Sequence, residues 1–232
     1  MRPGGDGREL QVPKLVVDLE TVRPRHGIAH AARRVHRRRE LNGDVLDGHE
    51  HPDERTRRVE VLEIGFGNGD NLAAQAAMHP QRNYLGVEVH RPGVGRLLLS
   101  IEERQLTHVR IICHDAVEVL THQVASQTLD EVLILFPDPW PKKRHHKRRL
   151  VQAPFVELVA ERLRVGGMLR FATDWQPYAA AALEVLSGNP DLHNFAQDGT
   201  FVPRPTERTP TRFEKRGERL GHDVWDLAFE RR

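Results

Sequence analysis

From residue 59 onward, short apolar runs alternate with stretches whose apolar residues recur at helical spacing. Residues 59–65, 84–89, 109–113, 131–136 and 168–173 read as buried strands. Between and after them the spacing predicts helices over 70–78, 94–105, around Val117, 155–164 and 176–186, with Gly166-Gly167 stopping the fourth. Strands alternating with helices at this interval predict an α/β fold, a doubly wound, mostly parallel Rossmann-like sheet with helices on both faces. Residues 223–229, after the irregular stretch 189–210, are expected to add an antiparallel last strand.

The first 58 residues break this pattern. They hold no Phe, Trp or Tyr and are rich in Arg, His, Gly and acids, so they can bury little. The expected division is a flexible N-terminal extension over 1–58 and a folded domain over 59–232. Within the extension, 28–41 is a candidate basic helix with Ala31, Ala32 and Val35 as a thin apolar stripe. The N-terminus has no apolar signal segment, and no run approaches the ~20 residues that span a bilayer. A lone cysteine, Cys113, rules out an internal disulfide and reads as a small hydrophobe in an apolar strand. These features predict a soluble, cytoplasmic protein, monomer or homodimer, without a membrane partner. His49-Glu50-His51 lacks further ligands, so no metal is expected.

Charge changes the picture in one place. The whole chain is only +2, yet 142–149 carry six Lys/Arg and two His, leaving about −4 for everything else. This strip follows a strand and the turn Phe136-Pro-Asp-Pro-Trp140. A carboxylate (Asp138), a large aromatic ring and a phosphate-binding strip in succession suit a site that grips a nucleobase while holding its backbone. Trp140 or Phe136 can stack on the base, and Asp138 can accept from guanine's N–H groups.

A second motif, Glu63-Ile-Gly65-Phe-Gly67-Asn-Gly69, joins the first strand of the domain to its helix. The dinucleotide spacing Gly-x-Gly-x-x-Gly is not met, because position 70 is Asp. Glu63 would repel a pyrophosphate and attract an ammonium or sulfonium. Glu88 ends the second strand, where a carboxylate can hold ribose hydroxyls. Asp115 follows the third, placed either for an adenine amino group or as a helix N-cap. A phosphate-free nucleoside bearing an amino-acid cation fits these acids: S-adenosylmethionine.

These residues resemble the bacterial tRNA (guanine-N7)-methyltransferases. The likeness runs from about 61 to 232, through Glu-Ile-Gly-Phe-Gly (63–67), Gly-Val-Glu-Val-His (86–90), Phe-Pro-Asp-Pro-Trp (136–140), Lys142 and Arg-His-His-Lys-Arg-Arg (144–149). It continues through Ala-Thr-Asp-Trp (172–175), Thr-Arg-Phe-Glu (211–214) and Gly-His-Asp-Val-Trp-Asp-Leu (221–227). The resemblance implies a class I methyltransferase sheet that moves a methyl group from S-adenosylmethionine to a variable-loop guanine of tRNA. It implies that Glu63, Gly65, Gly67, Glu88, Asp115 and Asp138 bind the cofactor and that Asp138 is catalytic. It further implies that Lys142, Asp174, Thr211, Arg212, Phe213 and Glu214 contact substrate. Arg144, His145, His146, Lys147, Arg148 and Arg149 would touch RNA. The aromatic N-terminal segment usual in the family has no counterpart in 1–58.

Plainer roles stand beside some of these. Asp174 can cap the helix that follows it, Thr211 and Glu214 fit a capping box, and Trp225 suits a core. Two other functions compete: methylation of an exocyclic base amine, and a catalytically inactive RNA-binding scaffold. The first usually has two consecutive prolines before its aromatic, where this chain has Pro139 alone.

Overall fold

The computed structural model describes Val16–Val17, residues 59–209, Glu214 and residues 223–232. In chain order these form β1 (Val16–Val17), β2 (Val61–Ile64), α1 (Asp70–Met78), β3 (Tyr84–Val87), α2 (Arg91–Arg104), β4 (Val109–Ile112) and α3 (Ala116–His122). There follow β5 (Leu129–Leu135), a 3-10 helix (Lys143–Arg148), α4 (Ala153–Arg162), β6 (Leu163–Thr173), α5 (Gln176–Ser187), β7 (Leu192–Asn194) and β8 (Trp225–Arg231).

The strands make one sheet in the order β1-β4-β3-β2-β5-β6-β8-β7. Strands β4, β3, β2, β5 and β6 run parallel, while β1, β8 and β7 pair antiparallel with their neighbours. The doubly wound sheet and its antiparallel late strand are therefore as the sequence predicts. Because crossovers put helices on both faces, the central strands are buried on both sides. Leu62, Ile64, Val87, Val132 and Ile134 pack with Val119 of α3, Phe155 and Val159 of α4 and Tyr178 of α5. Val61, Tyr84, Ile111 and Leu133 belong to a second core with Leu72 and Ala76 of α1 and Leu97 and Ile101 of α2. Pro92, Pro154 and Pro177 open α2, α4 and α5, where their missing N–H leaves no hydrogen bond unmade.

One expected boundary is corrected. Gly166-Gly167 do not stop α4, which ends at Arg162; the buried, extended Leu163 starts β6 at once. Gly166, at φ 76°, instead lets β6 bulge where its register against β5 shifts between Leu129 and Glu131. The two-residue β1, β7 and the 3-10 helix were not foreseen. The candidate helix 28–41 and the His49-Glu50-His51 cluster lie outside the described residues. Among the described residues no helix is long and apolar enough to cross a membrane.

Strand order reverses between β2 and β5, which are direct neighbours. Ligands of open α/β sheets bind beyond the carboxyl ends of the strands at such a reversal. The glycine turn leaves β2 there, and Phe136–Trp140 leaves β5 beside it.

Candidate active site

Gly65, Gly67 and Gly69 all adopt positive φ (70°, 59° and 78°), which glycine takes without steric cost. A Cβ on Gly69 would come within 2.6 Å of Leu97, and one on Gly93 of α2 within 1.9 Å of the Gly67 carbonyl oxygen. At Gly65 and Gly67 a Cβ would meet nothing within 4 Å. The loop is thus packed tightly on its protein side and open on the other. Glu88 fastens it: Oε2 accepts from Gly67 N–H at 2.8 Å, and Oε1 from Val89 and His90 N–H at 2.7 and 2.9 Å.

Glu63 stands in mid-strand, flanked by Gly86 on β3 and Leu133 on β5, and is 2% exposed. Its Oε2 accepts from Asn71 Nδ2 of α1 at 2.9 Å. Burial pushes its pKa up to about 7, and the Asn71 bond opposes the rise. The Asn71 Oδ1 atom is buried without a hydrogen-bond partner among the described residues. Acceptors therefore outnumber donors here, an environment suited to a cationic N–H donor and hostile to phosphate. Asp115 caps α3, its Oδ1 accepting from Val117 and Glu118 N–H at 2.9 and 3.2 Å, and it remains exposed. Cys113 is half-buried against the α1/α2 core.

The second loop reaches positive φ without glycine. Phe136 (φ 52°) and Trp140 (φ 44°) lie in the left-handed region on either side of the exposed Asp138. Such conformations cost on the order of 1–3 kcal/mol each and persist only where surroundings impose them. Phe136 N–H donates to Ala172 O at 2.8 Å, extending the pairing of β5 with β6. The Arg208 guanidinium lies over the Phe136 ring at 5.5 Å, and Arg148 over the Trp140 ring at 4.9 Å. His145 meets Trp140 edge-on, with centroids 5.8 Å apart.

Lys142, Lys143, Arg144, Lys147 and Arg148 are exposed and His145 and His146 half-buried, so most of the strip faces solvent. Arg149 is the correction. At 5% exposure it points inward, donating through Nε to Pro139 O at 2.9 Å and lying over the Tyr178 ring at 4.8 Å. The apolar segment that it opens, Leu150-Val151, packs on the core and draws the guanidinium in with it. Burial lowers its pKa, against the pull of the Tyr178 phenol.

Glu214 is also turned inward, at 0% exposure. Its Oε1 accepts from Arg204 Nε at 2.6 Å and from Arg208 Nη2 at 2.9 Å, while Arg208 pairs with Asp226 of β8 at 3.0 Å. Burial pushes the Asp226 carboxyl up against the pull of Arg208, as expected for a charge taken out of water and re-paired. Glu214 thus presents its carboxylate to two arginines. Thr211, Arg212 and Phe213 lie outside the described residues. Asp174 does not cap α5, whose N-cap is Trp175 with no side-chain cap bond, so that plainer role falls away. Asn71, Tyr178, Arg204, Arg208 and Asp226 escaped sequence reasoning because no local spacing marks their pairings, whether close in the chain, as for Asn71 with Glu63 and Arg208 with Glu214, or far apart, as for Tyr178 with Arg149.

Comparison with known proteins decides the family. A family model described as "Putative methyltransferase" matches residues 57–227. A tRNA (guanine-N(7)-)-methyltransferase from Yersinia enterocolitica is 56% identical over 172 residues, covering 74% of this chain and 72% of that protein. Its counterpart from Serratia proteamaculans is 55% identical over the same shares. The chain belongs to the tRNA (guanine-N7)-methyltransferase family. A structure of a 16S rRNA (adenine(1408)-N(1))-methyltransferase from Catenulisporales acidiphilia with its cosubstrate shares the fold, with TM-score 0.51 and 15% identity over 79% of this chain and 92% of that one. An rRNA methylase from Streptococcus thermophilus does likewise, with TM-score 0.50 and 15% identity over 75% and 87%. In this member of the methyltransferase family the glycine turn and the Asp138 turn occupy adjoining strand ends at the sheet's reversal.

Proposed function

We propose that this chain transfers the methyl group of S-adenosylmethionine to N7 of a guanine in tRNA. The observation that carries the reading is the juxtaposition of two loops: an acid-lined, phosphate-hostile glycine turn after β2 and a carboxylate-aromatic turn after β5, followed by a basic strip. Glu63 and Asn71 suit the amino-acid end of the cofactor, Gly65 and Gly67 leave room beside the loop, and Glu88 suits the ribose. Asp115 Oδ2, outside the cap bonds, suits the adenine amino group. The exposed apolar side chains Val89 (65%) and Val117 (41%) next to these acids suit the faces of the base. When bound, S-adenosylmethionine supplies an electrophilic methyl group on a sulfonium.

Guanine N7 has an in-plane lone pair and no proton at neutral pH, so the reaction calls for no general base. The protein's work is alignment and electrostatics. Positive charge develops on the purine as the bond forms, and the fixed Asp138 carboxylate favours that state over the ground state. The same carboxylate can accept from guanine's N–H groups and so select guanine over adenine. Lys142, Asp174 and residues 211–213 serve the substrate, and the exposed members of 142–148 hold its phosphates. The groove of A-form RNA that carries N7 is too deep and narrow for side chains, so the target base must be unpaired or drawn out.

The test is direct. Unmodified tRNA is incubated with the protein and methyl-labelled S-adenosylmethionine, then digested to nucleosides. Label is expected in 7-methylguanosine, and label in N6-methyladenosine instead would overturn the assigned target.

A further inference from the structure

We propose that Arg149 is a positioning residue for the reaction, fixing the Asp138 turn from beneath rather than contacting RNA as the rest of its basic strip does. Four observations converge on it. The turn that carries Asp138 holds non-glycine residues at φ 52° and 44°, so its geometry needs an outside restraint. Arg149 supplies one across ten residues, through the 2.9 Å bond from Nε to the carbonyl of Pro139, the residue between Asp138 and Trp140. Its guanidinium is seated on the face of Tyr178, and Tyr178 is itself fixed: 0% exposed, with its hydroxyl accepting from Val151 N–H at 3.2 Å and its ring edge-on to Phe171 of β6 at 5.3 Å. Finally, Nη2 of Arg149 is buried with no hydrogen-bond partner among the described residues. A cation retained inside at that cost, with its planar group stacked and one N–H aimed at the turn, acts as a spacer of fixed shape.

The chain of contacts therefore runs from the α5 core to the backbone next to the catalytic carboxylate. Arg148, one residue earlier, is exposed and lies over Trp140 of the same turn. The alternation assigns one arginine to the RNA side and the next to the protein side.

The inference rests on the reading of Asp138 as catalytic, and the loss of methyl transfer in Asp138→Ala tests that reading separately. Arg149→Met and Arg149→Lys are compared with wild type in three measurements. In steady-state kinetics kcat should fall at least tenfold for Arg149→Met, with KM for tRNA and for the cofactor within about twofold. Arg149→Lys should recover part of kcat, since an ammonium can still reach Pro139 O but cannot stack as a plane. The slope of log Kd for tRNA against log salt should match wild type in both variants. Amide exchange of the peptide spanning 136–141 should be faster in Arg149→Met. A slope reduced by about 0.7–0.9 with kcat retained would mean a phosphate contact and overturn the proposal. Unchanged exchange at the turn, or a rise in both KM values with no recovery by lysine, would overturn it too. Should Arg149→Met fail to fold, the kcat and KM of Arg149→Lys decide the matter alone.

Discussion

The two loops at the sheet's reversal reach similar backbone shapes by opposite means. After β2, positive φ falls on Gly65, Gly67 and Gly69, and the loop is shaped by its own composition plus one carboxylate, Glu88. After β5, positive φ falls on Phe136 and Trp140, and arginines from outside the turn meet it: Arg208 on the Phe136 ring, Arg149 on the Pro139 carbonyl, Arg148 on the Trp140 ring. A glycine loop can bind a cofactor wherever a strand and helix present it. A strained loop exists only inside a finished fold. On the proposed function, the two loops differ because their roles differ. The first needs close backbone approach, whereas the second must hold a carboxylate and aromatic side chains in one fixed relation, which glycine cannot supply.

The comparison breaks most visibly at Asp138. Asp138→Ala should cut methyl transfer by about 10²–10³-fold, the scale of losing one preorganised electrostatic contact to the transition state. Affinity for tRNA should stay within about twofold, because the exposed strip Lys142–Arg148 is intact. Single-turnover rates and filter binding check the two halves. Equal loss of both would mean that the division between chemistry and grip is wrong.

A smaller effect probes the glycine-turn side. Glu63 has its folded-state pKa raised from 4.5 to about 7 by burial. A raised carboxyl favours the folded state fully below pH ~4.5 and loses that advantage as pH climbs through about 7, on the order of 3 kcal/mol in total. Glu63→Gln, which still accepts from Asn71, should therefore gain stability over wild type at pH 8 and hardly any at pH 5, as read by denaturant melts. In the wild type a cationic ligand favours the ionised carboxylate. Cofactor affinity should rise up to about tenfold per pH unit between 5 and 7, with proton release measurable by calorimetry in buffers of different ionisation enthalpy. A flat affinity over that range would remove Glu63 from the cation site.

How far the chain could be read in advance follows the same divide. The parallel strands were legible because crossover helices bury both faces, so β2, β3, β4 and β5 stand out as short apolar runs. The glycine turn and the candidate acids Glu63, Glu88 and Asp115 could be singled out because each sits at a fixed offset from its strand. Gly166-Gly167 misled because a double glycine ends a helix or bends a strand equally well, and only the burial of Leu163 distinguishes them. The inward turn of Arg149 and Glu214 could not be read at all. Their partners, Tyr178 at one end and Arg204, Arg208 and Asp226 at the other, are brought in by α5, by the chain before Glu214 and by β8. A run of six basic residues carries no mark of which member faces inside.

Arg148 gives the finest cut. It is exposed, its guanidinium lies 4.9 Å over Trp140, and it is next in sequence to a buried arginine. Two roles compete for it: holding Trp140 as Arg149 holds Pro139, or pairing with a phosphate. An exposed cation–π contact is worth only about 0.5–1 kcal/mol, less than the turn's own strain, so it cannot be the main restraint. A phosphate contact, in contrast, displaces a counterion, and each one contributes about 0.7–0.9 to the slope of log K against log salt. Arg148→Gln should lower that slope by one such increment, which amounts to about five- to eightfold weaker tRNA binding at 0.1 M salt and little change at 1 M. Its kcat at saturating tRNA should fall less than threefold. Titrations over a salt series give both numbers from one protein preparation. An unchanged slope with a large loss of kcat would put Arg148 in the same class as Arg149, and the turn would then be held from both sides.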